Sequence, residues 1–354
     1  MKVLIAPDSF KGTIGNLDCA RAISAGWLSV RPADELTLLP MADGGEGSLE
    51  TIAASLPRSQ RIQSLLGGGA VWLLLEDGTA LVELANLCGL SQESRAQPLR
   101  ASTFRLGVVI KEALADPRVN RLVIAVGGSG STDGGVGALI ALGAKFLSST
   151  GAPISLGGAG LLEISKIDLS EVPAPPSRGV TCLTDVTNPL LGALGSARIF
   201  APQKGANASQ VELLEAALAH LMEVSGAPDF AGAGAAGGTP FGLSLPWKVE
   251  IESGALAIAG MIGVGPAIWN CDLVITGEGR LDAQSFFGKV VGTITELTSK
   301  AQRKILYCVG SSQEPLDEKG IALTELAPTA QEAMERAEKW LIAAGAELAR
   351  RQSI

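Results

Sequence analysis

The chain has 354 residues, a net charge of −8 and a single histidine, and 44 of its residues are glycine. The negative charge argues against a nucleic-acid-binding protein, and one histidine excludes a three-histidine zinc site. Because 47% of the residues are hydrophobic and only 18% are charged, the excess glycine belongs to a folded chain and not to a disordered linker. Glycine in that setting marks tight turns or close approaches of the backbone.

The five cysteines are scattered and form no Cys-x-x-Cys pair. This pattern is typical of buried thiols in a reducing compartment, and the amino terminus does not resemble a signal peptide. The uncharged stretch 253–271 contains glycines and a proline, which favours a buried, kinked segment over a membrane span. The sequence therefore predicts a cytoplasmic protein that binds neither membrane nor nucleic acid, and it leaves the oligomeric state open.

A strand–helix–strand–helix order opens the chain. The apolar run Lys2–Ala6 predicts a strand that Pro7 ends, and an apolar stripe predicts a helix over Asn16–Val30. A second strand is predicted at Glu35–Leu39 and a short helix at Gly47–Ser55. This order is typical of parallel strands joined by helical crossovers.

The middle of the chain has a different pattern. Asp77-Gly78 separates the apolar runs Val71–Leu75 and Ala80–Leu84, which is a hairpin signal. Lys145–Leu147 is followed by a second turn sequence that also predicts a hairpin. Hairpins indicate a mixed sheet here, unlike the parallel arrangement predicted for the amino-terminal segment.

The carboxyl-terminal part returns to alternating strands and helices. Strands are predicted at Leu273–Thr276 and Ile305–Val309, and helices at Lys289–Gln302 and Thr329–Arg350. The sequence therefore predicts an α/β fold in which residues 1–60 and 288–354 form one domain. Residues 61–287 are predicted to form an inserted α/β domain with a mixed sheet.

Two glycine-marked loops follow the first two predicted strands, at the edge of a parallel sheet where ligands bind. The first, Pro7–Gly12, offers Ser9 and Lys11 to an anion, although an ordinary turn with a solvated lysine explains it equally well. The second, Met41–Gly47, places Asp43 before a predicted helix. That placement is equally compatible with capping of the helix.

A third loop, Gly127–Gly135, follows the predicted strand Arg121–Val126 and precedes a predicted helix. It is neither a Walker A loop nor a dinucleotide-binding fingerprint, because the required lysine and glycine spacings are absent. Backbone amides, hydroxyls and a helix N-terminus favour a bound phosphate. The predicted phosphate-binding residues are Gly127, Gly128, Ser129, Ser131, Asp133, Gly134 and Gly135.

Two further loops carry oxygen ligands. Asp185 follows a predicted strand and suits Mg²⁺, although it could equally accept a proton, or simply belong to an Asx turn before the nearby proline. The loop Thr276–Ser285 contains Glu278, Arg280 and Asp282. Arg280 can bind a carboxylate or a phosphate through two hydrogen bonds, but a surface ion pair with Asp282 is the simpler interpretation.

Together the loops supply an anion cradle, several carboxylates, a lysine and an arginine. Phosphoryl transfer needs this combination, because the reaction depends on alignment and charge neutralisation more than on covalent chemistry. A non-catalytic protein that binds a phosphorylated metabolite is the alternative, but such a protein gains nothing from so many carboxylates.

These loops, in this order, resemble the glycerate kinase type I family. The matching motifs are APDSFKG at Ala6–Gly12, MADGGEG at Met41–Gly47, GGSGSTDGG at Gly127–Gly135, DVTNPL at Asp185–Leu190, PQKGA at Pro202–Ala206, GAGAAGG at Gly232–Gly238 and DLVITGEGRLDAQS at Asp272–Ser285. The resemblance covers essentially the whole chain. It implies ATP-dependent phosphorylation of D-glycerate with Mg²⁺, with 2-phosphoglycerate favoured over 3-phosphoglycerate as the product. It also implies a flavodoxin-like (Rossmann-like) parallel-sheet domain built from both termini and interrupted by the inserted domain.

The resemblance and the loop chemistry together assign roles to individual residues. The predicted catalytic residues are Asp43, Asp185 and Lys11, and the sequence does not choose between the two acids as the base. The predicted substrate-binding residues are Ser9, Lys11, Arg280 and Asp282. The predicted Mg²⁺ ligands are Asp185 and Glu278, and the glycine-rich loop is predicted to hold the ATP phosphates.

One departure from the family pattern lies before the helix that precedes the third loop. The family has a Tyr-Gly-Thr-Gly-like turn before the helix that precedes the third loop, whereas this chain has Phe-Arg-Leu-Gly after Thr103. The substitution puts a substrate or domain contact in doubt. It removes no carboxylate from the candidate site.

Overall fold

The computed structural model describes residues 1–286 and 288–352. The amino-terminal segment contains β1 (Lys2–Ile5), α1 (Asn16–Val30), β2 (Glu35–Leu38) and α2 (Ser48–Ser55). The central segment contains β3 (Gln60–Gln63), β4 (Val71–Leu74), β5 (Thr79–Glu83), α3 (Ala85–Cys88), α4 (Gln92–Ala96), α5 (Phe104–Ala115), β6 (Arg121–Ala125), α6 (Val136–Leu142), β7 (Lys145–Leu147), β8 (Lys166–Asp168), β9 (Val180–Leu183), α7 (Ser196–Phe200), α8 (Ala208–Ser225), α9 (Thr239–Ser244) and β10 (Val249–Glu252). The carboxyl-terminal segment contains α10 (Gly254–Met261), α11 (Val264–Trp269), β11 (Leu273–Thr276), β12 (Arg280–Leu281), α12 (Val290–Lys300), β13 (Lys304–Val309), β14 (Ser311–Ser312), β15 (Gly320–Ala322), α13 (Leu323–Leu326), α14 (Ala330–Glu335) and α15 (Ala337–Arg351).

These elements form two units, each with its own hydrophobic core. The first unit contains Met1–Asp43, Glu50–Pro57 and the described residues from Ser253 onward. The second unit contains Gly44–Leu49 and Arg58–Glu252. The sequence predicts the second junction after residue 287, whereas the first unit resumes at Ser253. The difference arises because β11 pairs with β1 in the sheet of the first unit.

A five-stranded parallel sheet, in the order β15–β13–β11–β1–β2, forms the centre of the first unit. Counted along this unit alone, the strands follow the 2-1-3-4-5 order of flavodoxin-like folds, which confirms the predicted fold class. The winding reverses between β1 and β11, where Val3 lies opposite Leu273 and Ile5 opposite Ile275. Ligands of such sheets bind at this switch point, beyond the carboxyl ends of the strands.

Helices α1 and α15 share a buried core with one face of this sheet. The two helices pack with backbone against backbone: a Cβ added at Gly26 would lie 1.9 Å from the carbonyl oxygen of Ile342. A Cβ added at Gly345 would lie 2.2 Å from the carbonyl oxygen of Ile23. Both positions therefore exclude any side chain, which explains glycine inside two otherwise regular helices.

A six-stranded mixed sheet, in the order β10–β9–β6–β5–β4–β3, forms the centre of the second unit. Strands β5, β6, β9 and β10 are parallel, so the loops that follow them lie at one edge of the sheet. Strands β3 and β4 extend the sheet in antiparallel pairing. The predicted hairpin around Asp77-Gly78 is confirmed, with Leu73 opposite Leu81. At the second predicted hairpin, the turn after β7 closes an isolated antiparallel bridge between Leu147 and Pro153. The strand that pairs with β7 is the more distant β8.

The prediction of a single long helix over Thr329–Arg350 is wrong, because the segment forms the two helices α14 and α15. Arg336 separates them with φ −125° and ψ 40°, which lie outside the helical region. Thr329 caps the first helix by accepting a hydrogen bond from the amide of Glu332 at 3.1 Å. The break allows Ala333 and Ala337, one from each helix, to pack into the same core.

The uncharged stretch 253–271 forms the two short helices α10 and α11, separated by Gly263 at φ +77°. The predicted kink is therefore present, but the burial is partial, since Leu256 and Trp269 are exposed. Among the described residues, no helix combines the length and the apolar character that a membrane crossing requires.

The contact between α1 and α15 yields a stability prediction. We expect Gly345→Ala to destabilise the protein by about 1–3 kcal/mol, because the added methyl group overlaps the carbonyl of Ile23. The matched control is Gly260→Ala in α10, where nothing lies within 4 Å of an added Cβ. The control should be neutral or stabilising by up to about 1 kcal/mol through helix propensity. Urea unfolding measures both, and equal stabilities would contradict the close packing.

Candidate active site

The loops after β1 and β11 lie side by side at the switch point of the first unit. The amide of Ala6 donates to the carbonyl of Ile275 at 2.8 Å, and the amide of Asp8 donates to the carbonyl of Gly277 at 2.8 Å. Gly277 has no room for a side chain, because a Cβ there would lie 1.6 Å from the carbonyl oxygen of Cys308. These contacts fix the relative positions of the two loops.

A cavity of about 450 Å³ opens at this point and is lined only by residues of the first unit. Its charged lining residues are Asp8, Lys11, Asp43, Glu278, Arg280, Asp282 and Lys289, and its hydroxyl-bearing lining residues are Ser9, Thr13, Ser311 and Thr324. The structure thus brings together all of the predicted site residues that belong to this unit, and it adds Asp8 to them. Asp185 and the glycine-rich loop belong to the second unit.

Lys11 and Asp43 form an ion pair in this cavity, with Nζ and Oδ2 3.1 Å apart. The side chain of Lys11 is 75% exposed and that of Asp43 is 21% exposed. The Asp43 carboxylate raises the pKa of Lys11, so the lysine stays positively charged. An ion pair this exposed adds little to stability, but it presents a cation of fixed position to an anionic substrate.

Asp8 is the acid at this site that the sequence analysis missed. The residue is only 7% exposed, and its Oδ1 accepts a hydrogen bond from the amide of Ser9 at 2.6 Å. Burial, together with the nearby Asp43 carboxylate, raises the pKa of Asp8 from 3.8 to about 7. Such a carboxylate can accept a proton near neutral pH. The sequence does contain a feature that points to Asp8, because this acid directly follows the first strand, at the edge of the sheet where ligands bind.

Glu278 has the properties of a ligand for a hard cation. Its Oε1 is buried and has no hydrogen-bond partner in the described part of the chain. Burial also raises the pKa of this carboxyl group. Mg²⁺ in phosphate-transfer sites is commonly held by one or two carboxylates together with substrate phosphates, and Glu278 fits the protein's share of such a site. Among residues 1–286 and 288–352, no group of three potential ligands is arranged as a metal site.

Arg280 and Asp282 differ in how strongly the loop holds them. The simpler interpretation of the sequence predicts an ion pair between their side chains, but no such pair occurs among the described residues. Asp282 instead accepts a hydrogen bond from the amide of Gln284 at 2.9 Å and caps the short 3-10 turn Ala283–Phe286. Arg280 is exposed on β12, where it can reach an anion in the cavity.

The glycine-rich loop lies between β6 and α6 in the second unit. Gly128, Gly134 and Gly135 have φ values of +76°, +60° and +74°, which a side chain would strain. The amide of Gly134 donates to the carbonyl of Gly237 at 2.9 Å, and that of Gly130 to Cys88 at 3.0 Å. Packing against neighbouring backbone therefore explains part of the glycine content, in addition to any role in phosphate binding.

Asp133, which the sequence analysis includes among the phosphate-binding residues, is completely buried. Its Oδ2 accepts hydrogen bonds from the Thr103 amide at 2.8 Å and hydroxyl at 2.9 Å, from Ser102 Oγ at 3.2 Å and from the Gly137 amide at 3.2 Å. Its Oδ1 accepts from the amide of Gly135 at 3.3 Å. The carboxylate therefore joins the starts of α5 and α6, and this bonding favours a role in shaping the loop over contact with an anion.

Asp185 follows β9 and is half-buried. In the same loop, the side-chain amide of Asn188 donates to the carbonyl of Leu194 at 2.8 Å and so stabilises the turn. The amide of Gly234 donates to the carbonyl of Asn188 at 3.0 Å. The stretch 232–238 therefore contacts this loop at one end and the glycine-rich loop, through Gly237, at the other.

The single histidine lies outside both the cavity and the glycine-rich loop. His220 lies on α8, and its Nε2 is 2.7 Å from the carbonyl oxygen of Ile164.

A second missed residue, Lys204, lies buried beside the glycine-rich loop. Its signal in the sequence was the Pro-Gln-Lys-Gly motif, which the resemblance includes but which received no role.

The raised pKa of Asp8 yields a prediction with a definite sign. Because the folded value of about 7 exceeds the unfolded 3.8, the wild type loses stability as the pH rises between these two values. Asp8→Asn does not ionise, so we expect it to be more stable than the wild type at pH 8, by about 1.4 kcal/mol for each unit of the shift at most. The gain should shrink toward pH 4. Urea unfolding at both pH values checks this, and a less stable variant at pH 8 would contradict it.

The chain is similar to known proteins over most of its length. The chain matches the glycerate kinase family model over residues 3–353. It is 36% identical to a glycerate kinase of Haemophilus influenzae over 338 residues, which cover 90% of this chain and 88% of the relative. It is 35% identical to glycerate 2-kinase of Escherichia coli over 326 residues, which cover 88% and 85%.

A solved structure agrees in fold as well as in sequence. A crystal structure from Salmonella typhimurium LT2 that carries the name glycerate kinase 2 matches with a TM-score of 0.80 and 29% identity, covering 100% of this chain and 98% of the other. The similarity in sequence and the similarity in fold both extend over almost the whole chain. The protein therefore belongs to the glycerate kinase family, whose members are kinases that act on the small molecule glycerate and use ATP as the co-substrate.

Proposed function

We propose that this protein transfers the γ-phosphoryl group of ATP to the C2 hydroxyl of D-glycerate, giving 2-phosphoglycerate and ADP. The observation that carries the proposal is the cavity at the β1/β11 switch point, where the Lys11–Asp43 ion pair lies beside the buried Asp8. The name of the Escherichia coli relative, glycerate 2-kinase, supports the choice of the C2 hydroxyl.

The cations of the cavity bind the substrate carboxylate in this proposal. Lys11 and Arg280 both line the cavity, and Lys11 keeps its charge because Asp43 stabilises it. Ser9 contributes a hydroxyl at the same wall. Asp282 acts on the substrate indirectly, because its carboxylate holds the turn that follows Arg280. A small hydroxy acid is thereby oriented by its charged end.

Asp8 accepts the proton of the attacking hydroxyl in this proposal. A general base works best when its pKa lies near the operating pH, and burial gives Asp8 such a value. Asp43 holds Lys11 through their ion pair, so its catalytic role is to keep that cation in place. Asp8 thus takes the role for which the sequence left Asp43 and Asp185 as alternatives.

The glycine-rich loop binds the ATP phosphates in this proposal. Its proposed donors are loop amides that do not already bond a neighbouring group among the described residues, such as those of Gly128 and Ser129, together with the hydroxyls of Ser129 and Ser131. Asp133 shapes the loop through its five hydrogen bonds. Mg²⁺, when bound, neutralises charge on the phosphates. Glu278 is the proposed protein ligand of that ion, because its Oε1 is buried and has no hydrogen-bond partner among the described residues. Asp185 keeps its role as an oxygen ligand predicted from the sequence.

The proposed cellular setting rests on composition and charge. We propose that the protein works in the cytoplasm and needs no nucleic acid or membrane. Scattered cysteines without a Cys-x-x-Cys pair and a net charge of −8 support this.

The assignment of Asp8 and Asp43 yields a kinetic prediction. We expect Asp8→Asn and Asp43→Asn each to lower kcat by about 10²- to 10⁴-fold, measured as ADP release that depends on D-glycerate. The control is Asp18→Asn on α1, an exposed acid whose side chain is 65% accessible, which should leave kcat unchanged. The wild-type kcat/KM should fall below pH 7, and this acid limb should disappear in Asp8→Asn. Near-wild-type turnover in both site variants would refute the assignment.

The product itself gives a separate prediction. Two-dimensional phosphorus–proton NMR of the reaction mixture should show the new phosphorus coupled to the proton on C2 of glycerate. Coupling to the two protons on C3 instead would show that the primary hydroxyl is the acceptor. That outcome would overturn the proposed regiochemistry while leaving the kinase activity intact.

A further inference from the structure

A buried lysine lies beneath the glycine-rich loop of the second unit. Lys204 is only 3% exposed, and its Nζ donates a hydrogen bond to the carbonyl oxygen of Ser131, in the middle of the loop Gly127–Gly135. In the described part of the chain this is the only hydrogen bond that the ammonium group makes. A lysine carries three donors, so two of them have no protein partner there.

The local sequence holds the lysine in this position. Pro202–Lys204 forms a 3-10 turn that ends at Gly205, whose φ of +94° favours glycine. A Cβ at Gly205 would lie 2.2 Å from the carbonyl oxygen of Arg95, so the turn packs tightly against the end of α4. The Pro-Gln-Lys-Gly motif therefore directs a charged side chain inward. Burying a hydrophobic residue of similar size would cost less free energy than burying a charged lysine. The charge is therefore retained for a reason other than stability.

The charge of Lys204 is only partly compensated by its neighbours. The ionisable groups near it are the carboxylate of Asp133, which favours the charged lysine, and the thiol of Cys88, which burial keeps protonated by raising its pKa to about 12. Burial of the lysine outweighs the effect of Asp133 and lowers the pKa of Lys204 to about 8. The Asp133 carboxylate provides little further compensation of the lysine's charge, because its two oxygens already accept five hydrogen bonds. An anion on the loop would complete the compensation.

We propose that Lys204 is a positioning residue of the glycine-rich loop, which fixes the Ser131 carbonyl and supplies the positive charge on which binding of the nucleotide's phosphates depends. The inference rests on the proposed function, in which this loop holds the triphosphate of ATP. Lys204 acts from below the loop, through the carbonyl of Ser131 and through its electric field.

The arrangement couples phosphate binding to protonation. A phosphate on the loop stabilises the charged lysine, and by reciprocity the charged lysine stabilises the bound phosphate. ATP should therefore bind more weakly as the pH rises above about 8, where unliganded Lys204 loses its proton. The change appears in the KM for ATP and only weakly in kcat.

Three variants, each made in the whole 354-residue chain, test the proposal. Lys204→Met keeps the length and removes the charge, whereas Lys204→Arg keeps the charge. The matched control is Lys111→Met on α5, an exposed lysine of the same unit whose replacement changes the net charge equally. We expect Lys204→Met to raise the KM for ATP about 10- to 100-fold, with smaller changes in kcat and in the KM for glycerate. Lys204→Arg should retain most of the affinity, and Lys111→Met should match the wild type.

The pH dependence of the unmutated protein is the second test. The wild-type KM for ATP should rise between pH 8 and 9.5, and this rise should be absent in Lys204→Arg. A wild-type KM for ATP in folded Lys204→Met, or a flat wild-type profile, overturns the proposal. If Lys204→Met fails to fold, the wild-type profile and Lys204→Arg decide.

Calorimetric binding of ATP separates the two proposals. Because calorimetry requires no turnover, it tests the role of Lys204 whether or not the protein phosphorylates glycerate. Absence of ADP release from the wild type with glycerate would refute only the proposed kinase function. Equal ATP affinities for wild type and folded Lys204→Met would refute the role of Lys204 independently.

Discussion

The parallel pairing of β1 with β11 is the contact on which the candidate site depends. These strands are separated by some 270 residues in sequence, as the hydrogen bond from the Thr276 hydroxyl to the carbonyl of Ala6 shows. Their pairing places the loop that carries Asp8 and Lys11 beside the loop that carries Glu278 and Arg280. Each loop contributes at least one acid and one cation, and only the pairing of the two strands collects them in one cavity. The chemistry of the site therefore follows from strand order and not from any local motif.

The same pairing explains why the site is electrostatically strained. Asp8, Asp43 and Glu278 line one cavity, and burial raises the pKa of both Asp8 and Glu278. Lys11 neutralises part of this charge through Asp43 but lies largely in solvent. Such strain reduces stability and is typical of sites that bind cations or transfer protons. In the proposed reaction, Mg²⁺ and the substrate would supply the missing compensation.

The sequence predicted the flavodoxin-like fold and the loops of the site, but not how tightly each side chain is held. The loops were recognisable because glycine and charged residues follow apolar strands, as at Lys11, Arg280 and Glu278. Asp8 escaped notice because its pKa depends on burial by residues from the opposite end of the chain. Asp133 looked like part of an anion cradle because its partners, Ser102 and Thr103, lie some 30 residues earlier. Strand pairing across a large insertion likewise determined where the first unit resumes, at Ser253.

The assembly of one sheet from both ends of the chain has a consequence for biosynthesis. Strands β1 and β2 leave the ribosome first, but β11, β13 and β15 follow only after the whole second unit has been made. The second unit is nearly continuous in sequence and has its own core, so it can fold while translation continues. Until then β1 has an unpaired edge on the side that β11 later covers, and an open edge of this kind is prone to aggregate. The segment that carries β1 and β2 is therefore synthesised before the second unit but completes its sheet only after that unit has been made.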